Sequence, residues 1–226
     1  MSDRLTVHDL GQMAYGEALA IQRRLLQLRQ ADQIGDTLLI VEHPPVLTLG
    51  TRGDTANIYL SREELAARGV EVFEVERGGD VTYHGPGQIV GYPIVRLTEF
   101  PGGVRGYISA LAGACIDVLA ISYGLTAEQR FDKYSGVWIG ENKIVAIGVA
   151  VKQAVTLHGF AFNVNTDLSH FEWINPCGLS KGVTSVAKEL GHPVDFDRTK
   201  QQVIERLATR FGKMAVIQPF VLRNEE

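Results

Sequence analysis

GVWIGENKIVAIGVAVKQAVTLHGFAFNV, residues 136–164, decides the fold. It holds three strand-like runs, Val137-Trp138-Ile139, Ile144 to Val151 and Val155 to Val164. The Gly140-Glu141-Asn142 turn and the polar Lys152-Gln153 pair separate them, so they read as a meander of sequential strands. Upstream, Val104, Tyr107, Ile108, Leu111, Cys115, Val118 and Leu119 recur at helical spacing without a proline, up to Gly124. Earlier still, about Gly11 to Gln33 carries the apolar stripe Tyr15, Ala18, Leu19, Leu25 and Leu26 of an amphipathic helix. Thr37 to Val41 and Val46 to Leu49 read as strands parted by His43-Pro44-Pro45. Val72 to Val75, Val81 to Tyr83 and Ile89 to Leu97 read as a glycine-punctuated sheet edge. Downstream, a short helix is predicted over about Thr184 to Leu190, and a last one carries Val203, Ile204, Leu207, Ala208 and Phe211. Helices alternate with runs of strands rather than with single strands, which predicts an α+β fold with a mixed or antiparallel sheet flanked by helices. Residues 1–226 read as one domain, with the stretch after about Gly191 a candidate small C-terminal lobe.

The chain has 226 residues, 22 basic against 26 acidic side chains and a hydrophobic fraction of 45%, enough to bury a sizeable core. No block of Lys and Arg is present, which argues against sequence-independent nucleic-acid binding. Asp3, Arg4, Asp9 and Glu17 interrupt the N-terminal stretch, so no signal-peptide core is read there. The longest strongly apolar run, Ile144 to Val151, is far below the ~20 residues of a membrane span. Two cysteines make no disulfide framework, and a reducing cytoplasm is the expected location.

No G-x-S-x-G, phosphate-loop or H-E-x-x-H motif occurs. Gly85-Pro86-Gly87 with Gly91 is spaced wrongly for a dinucleotide turn and leads into a strand. Cys115 falls in phase with Leu111 and Leu119, where cysteine acts as a small buried hydrophobe. Cys177 lies between Pro176 and Gly178 in a stretch without periodicity, where a side chain can be presented to a pocket or can simply be structural. A thiol nucleophile needs a base or cation beside it. Lys143, His84, His158, His170 and Lys181 are the candidates. Lys143 opens an apolar strand, and is either a solvated turn lysine or a desolvated amine able to act as a base. The histidines lack the paired spacing of a zinc site. Arg77-Gly78-Gly79-Asp80-Val81-Thr82-Tyr83-His84-Gly85-Pro86-Gly87-Gln88 packs four glycines among Arg, Asp, Tyr and His, either as two tight turns or as a pocket wall.

These twelve residues, with Glu42-His43-Pro44-Pro45 before them, Gly136-Val137-Trp138-Ile139 leading to Lys143, and Asn175-Pro176-Cys177-Gly178-Leu179 after, closely resemble the lipoyl(octanoyl) transferase family. The resemblance runs from about Thr37 to Ala187. It implies a fold similar to the catalytic domain of biotin protein ligases and lipoate ligases. It also implies transfer of an octanoyl or lipoyl group from the phosphopantetheine of acyl carrier protein to a lysine of a lipoyl domain, in 2-oxoacid dehydrogenases and the glycine cleavage H protein. By the same resemblance Cys177 carries the acyl thioester and Lys143 is its acid/base partner. Arg77 to His84, Ala146-Ile147-Gly148 and Gly159-Phe160-Ala161 would line the acyl pocket. Neither ATP nor a metal is expected, and neither nucleic acid nor membrane is an expected partner. Two alternatives stand beside it: an ATP-dependent lipoate or biotin ligase on the same fold, and a non-catalytic protein that binds acylated carrier. Arg77, Lys152, Lys181 and Lys188 are the basic residues expected to dock an acidic carrier protein.

Overall fold

The computed structural model describes residues 3–131, 135–175 and 182–221. β1 (Arg4–Gln12), α1 (Tyr15–Gln30), β2 (Thr37–Glu42), β3 (Val46–Leu49) and α2 (Arg62–Ala67) come first. Next are β4 (Glu71–Glu74), β5 (Val81–His84), β6 (Gln88–Ile94), α3 (Gly103–Tyr123) and β7 (Glu128–Arg130). β8 (Gly136–Ile139), β9 (Asn142–Lys152) and β10 (Val155–Asn163) form the meander. After them come β11 (Gly182–Val183), α4 (Val186–Leu190), α5 (Phe196–Arg210) and β12 (Met214–Ile217).

Among the described residues, nine strands make one sheet in the order β12-β1-β2-β6-β10-β9-β8-β7, with β11 laid parallel beside β9. β1 is parallel to both its neighbours, and every pairing from β2 to β7 is antiparallel. The sheet is therefore mixed, as the sequence predicts. Leu38-Leu39-Ile40-Val41 shows why its central strands are apolar without interruption. Leu38 and Ile40 pack with α3 and α5, while Leu39 and Val41 pack with α1, so both faces are covered. α3 is an apolar helix of 21 residues, and its Tyr107, Leu111, Cys115, Val118 and Leu119 lie in the core under the sheet. Gly124 ends it in the left-handed conformation, φ 66°.

One expectation changes in part. The sheet-edge reading holds for β4 and β5, the two edges of a smaller sheet, but not for β6, which lies in the middle of the larger sheet, between β2 and β10, fully buried. β2 and β3 are separate strands, as read from His43-Pro44-Pro45, and Pro44-Pro45 turns the chain into a second, three-stranded sheet, β4-β3-β5. Its own core, with Leu47, Leu49, Val81 and Tyr83, lies beneath α2 and the 3₁₀ turn Leu168–Trp173. After residue 191, α5 packs in the same core as α3 and β12 pairs with β1. Buried Asp36, before β2, ties this end down by bonding Arg29 of α1 at 2.9 Å and Lys213 at 3.1 Å.

Candidate active site

The smaller sheet faces β6, β10 and β9 across a cavity of about 640 Å³. Its walls include Arg77 to Thr82, His84, Lys143, Ala146-Ile147-Gly148 and Gly159-Phe160-Ala161. Of the expected lining residues Arg77 to His84, one stays outside. Tyr83 turns its ring into the core of the smaller sheet, against Phe171 and Trp173, with its hydroxyl 2.7 Å from Nδ1 of His170. Cys177 and Lys181 lie outside the described residues.

The wall forms because glycine lets backbone touch backbone. The Gly78 amide donates to the Val149 carbonyl at 2.9 Å, and a methyl group on Gly148 would lie 2.8 Å from the Gly78 oxygen. Arg77 is buried, with its guanidinium donating to the Thr48 carbonyl at 2.6 Å and hydroxyl at 2.9 Å and to the Gly78 carbonyl at 3.1 Å. It is therefore a strut under the cavity and not a docking residue. Lys152 has Glu76 at 2.8 Å, which removes a second docking candidate, and Lys188 is on α4, off the cavity wall. The Asp80 carboxylate accepts from the Asp54 and Val81 amides and from Asn57 Nδ2 at 2.6 Å. The Asn57 carbonyl in turn accepts the Asn175 amide at 2.7 Å.

Three imidazoles stand close together. His84 donates from Nδ1 to Gln88 Oε1 at 2.8 Å, the tautomer being set by an acceptor that cannot donate. Burial pushes its pKa down to about 3, with the neighbouring His43 adding to the shift. His43 donates from Nδ1 to the Met13 carbonyl and accepts the Tyr92 hydroxyl at Nε2, 2.8 Å. His158 holds left-handed backbone, φ 60°, while its amide donates to Gln22 Oε1 at 3.1 Å. Burial lowers both His43 and His158 to about 4, and Glu76 partly opposes the shift at His158. At neutral pH all three are uncharged and present no cation to an acyl chain.

Lys143 lies at the other end. Its Nζ sits 5.0 Å from the centroid of the Trp138 ring, and its backbone carbonyl accepts the Thr184 amide at 3.0 Å. Gly182 and Val183 pair with Asn142 and Lys143, so the chain that leaves 176–181 is stitched to the strand that carries the lysine. A relay braces this join from the glycine-rich stretch. Gln88 Nε2 donates to Asn163 Oδ1 at 2.8 Å, and Asn163 Nδ2 donates to the Thr184 carbonyl at 3.0 Å. Tyr15, Tyr92, Trp138 and Asn163 also line the cavity and were not singled out from sequence. Tyr15 lies on the apolar stripe of α1 and reads there as core.

The described cavity thus joins an apolar wall of Val90, Ile147, Val149 and Phe160, suited to an alkyl chain, to a lysine at one end. The family model of the lipoyl protein ligase A/B catalytic domain matches residues 14–208. The chain is 51% identical to an octanoyltransferase of Caldicellulosiruptor saccharolyticus over 93% of its own length and 88% of the relative's. With an octanoyltransferase of Desulforamulus reducens the identity is 48%, over 99% and 96% of the two chains. In fold it is similar to lipoate-protein ligase A bound with ATP, with TM-score 0.76, 16% identity and coverage of 98% and 90%. The biotin protein ligase of Aquifex aeolicus is more distant, with TM-score 0.52, 12% identity and coverage of 93% and 70%. These two likenesses speak for the α+β fold alone. By the family model and by relatives matched over nearly its full length, the chain belongs to the lipoyl protein ligase A/B catalytic domain family and is an acyltransferase that moves octanoyl groups in protein lipoylation.

Proposed function

We propose that the octanoyl group comes from the phosphopantetheine thioester of an acyl carrier protein and goes to a lysine of a lipoyl domain, by way of a thioester on Cys177. The placement of Lys143 carries this reading. Lys143 lines the cavity and pairs with Val183, six residues beyond Cys177. An extended chain spans at most ~3.3–3.6 Å per residue, so covalent continuity alone bounds the reach from Val183 to Cys177 at roughly 20–22 Å. Lys143 takes the Cys177 proton as sulfur bonds to the thioester carbonyl. The tetrahedral adduct then expels the pantetheine sulfur, which leaves with that proton. In the second half the acceptor amine attacks the Cys177 thioester, a C–N bond replaces the C–S bond, and the amine proton passes through Lys143 to the departing Cys177. Thioester exchange loses little free energy and amide formation draws the cycle forward, so neither nucleotide nor metal is invoked. Lipoyl domains of 2-oxoacid dehydrogenases and the glycine cleavage H protein are the acceptors in this reading, and the cytoplasm is its place.

Intact-mass measurement after incubation with octanoyl-carrier protein and no ATP is the test. One added octanoyl group is expected, absent in Cys177→Ser and kept in Cys115→Ser. Cys115 is fully buried in α3, where burial holds its thiol far up in pKa. An adduct that needs ATP, or that survives Cys177→Ser, overturns the reading.

A further inference from the structure

We propose that the rim of the cavity formed by Arg52, Val104, Arg105 and Phe131 is the docking surface for the acidic face of the acyl carrier protein. The proposal rests on the donor assigned above. Arg52 and Phe131 line the cavity, and Ile108 carries its wall into α3 one turn beyond Val104 and Arg105. The Arg105 guanidinium lies over the Phe131 ring, 4.9 Å from its centroid. Phe131 and Val104 are 45% and 46% exposed, so the rim offers apolar surface beside its cations. Several other surface arginines are neutralised, Arg23 by Glu76, Arg62 by Glu74, Arg130 by Glu128 and Glu141, and Arg210 by Asp117. Among the described residues neither Arg52 nor Arg105 has a carboxylate partner. The first turn of α3 also holds no acidic side chain and no side-chain cap, so its amide dipole adds to the charge of Arg105. A molecule of formal charge −4 repels an acidic partner at long range, and a rim whose two arginines have no carboxylate partner among the described residues is where that repulsion reverses.

The test compares kcat/KM for octanoyl-carrier protein, octanoyl-pantetheine 4′-phosphate and octanoyl-pantetheine. Arg52→Glu and Arg105→Glu are each expected to lower the ratio of carrier to pantetheine roughly tenfold at low salt, with the loss fading as salt rises. Arg198→Glu, on exposed α5 surface and also without a carboxylate partner, should leave the ratio unchanged. An equal loss with octanoyl-pantetheine 4′-phosphate would assign the rim to the phosphate and overturn the carrier surface. Equal loss with all three donors would make the rim part of folding or catalysis, again against the proposal. Absence of wild-type acylation from every donor is a different result, and it overturns the donor assignment together with the docking surface.

Discussion

The Lys143 amine lies over the indole of Trp138 and its backbone pairs with the strand from Gly182, and the proposed function asks it to transfer protons as well as to hold a charge. Arginine keeps the charge and the stacking yet gives up no proton at physiological pH. Lys143→Arg is therefore expected to lower turnover by roughly 10²-fold or more, the usual scale for a missing general base. Acylation and transfer should both slow in single-turnover mass measurements. Turnover near that of the wild type would leave Lys143 a structural residue. The residue pattern leaves Lys143 open between a solvated turn lysine and a base, the family resemblance singles it out, and the structure puts it on the cavity wall. Tyr83 is not on that wall. It was grouped with the pocket wall by its neighbours in sequence, and only a partner 87 residues away, His170, shows which way its hydroxyl points. His43 lay inside a quoted motif without a role, since its partners Met13 and Tyr92 are distant in sequence.

Between elements, β6 and β10 meet through Gly91, opposite Phe160. A methyl group at Gly91 would lie 2.2 Å from a carbon of that ring, so Gly91→Ala must turn Phe160, and the cavity beside it is the open space. The expected result is a fall of roughly tenfold or more in kcat/KM for octanoyl donors, with less for butanoyl donors, since a methylene of pocket length is worth about that much. Thermal stability should drop as well, by about 1–3 kcal/mol for an overpacked core. Equal losses for both chain lengths would put Phe160 off the path of the acyl chain. Periodicity revealed the meander, α3 and α5, because alternation and helical stripes are local. It did not reveal that β2 and β3 belong to different sheets, since long-range pairing decides that. Nor did it single out β1 and β12, whose parallel pairing is far from local, joining Arg4 to Met214 and Val7 to Ile217.

Over the whole molecule, the three buried imidazoles make stability depend on pH. Their folded pKa values, about 4, 3 and 4, lie below the ordinary 6.5, so the unfolded chain binds more protons over that window. The stabilisation is complete above pH 6.5 and is lost as pH falls through 6.5 toward 4 and 3. Glu76, lowered to about 2 chiefly by its bond from Lys152 against the opposing effect of burial, extends the loss below pH 4.5. Urea midpoints taken from pH 7 to 4 should therefore decline steadily, and His158→Gln should make the decline shallower. A flat profile over that range would mean that these imidazoles titrate normally. The layered plan of helices on both faces was foreshadowed by the unbroken apolar run of β2, whereas the cavity was not, because it lies where two sheets meet. The parallel ladder between β1 and β12 has one more consequence, a mechanical one. Tension applied between residues 4 and 217 pulls the two strands along their length in opposite directions, which loads the four register pairs together in shear rather than opening them one after another. Seized at both ends, the chain would resist until the whole ladder slid at once.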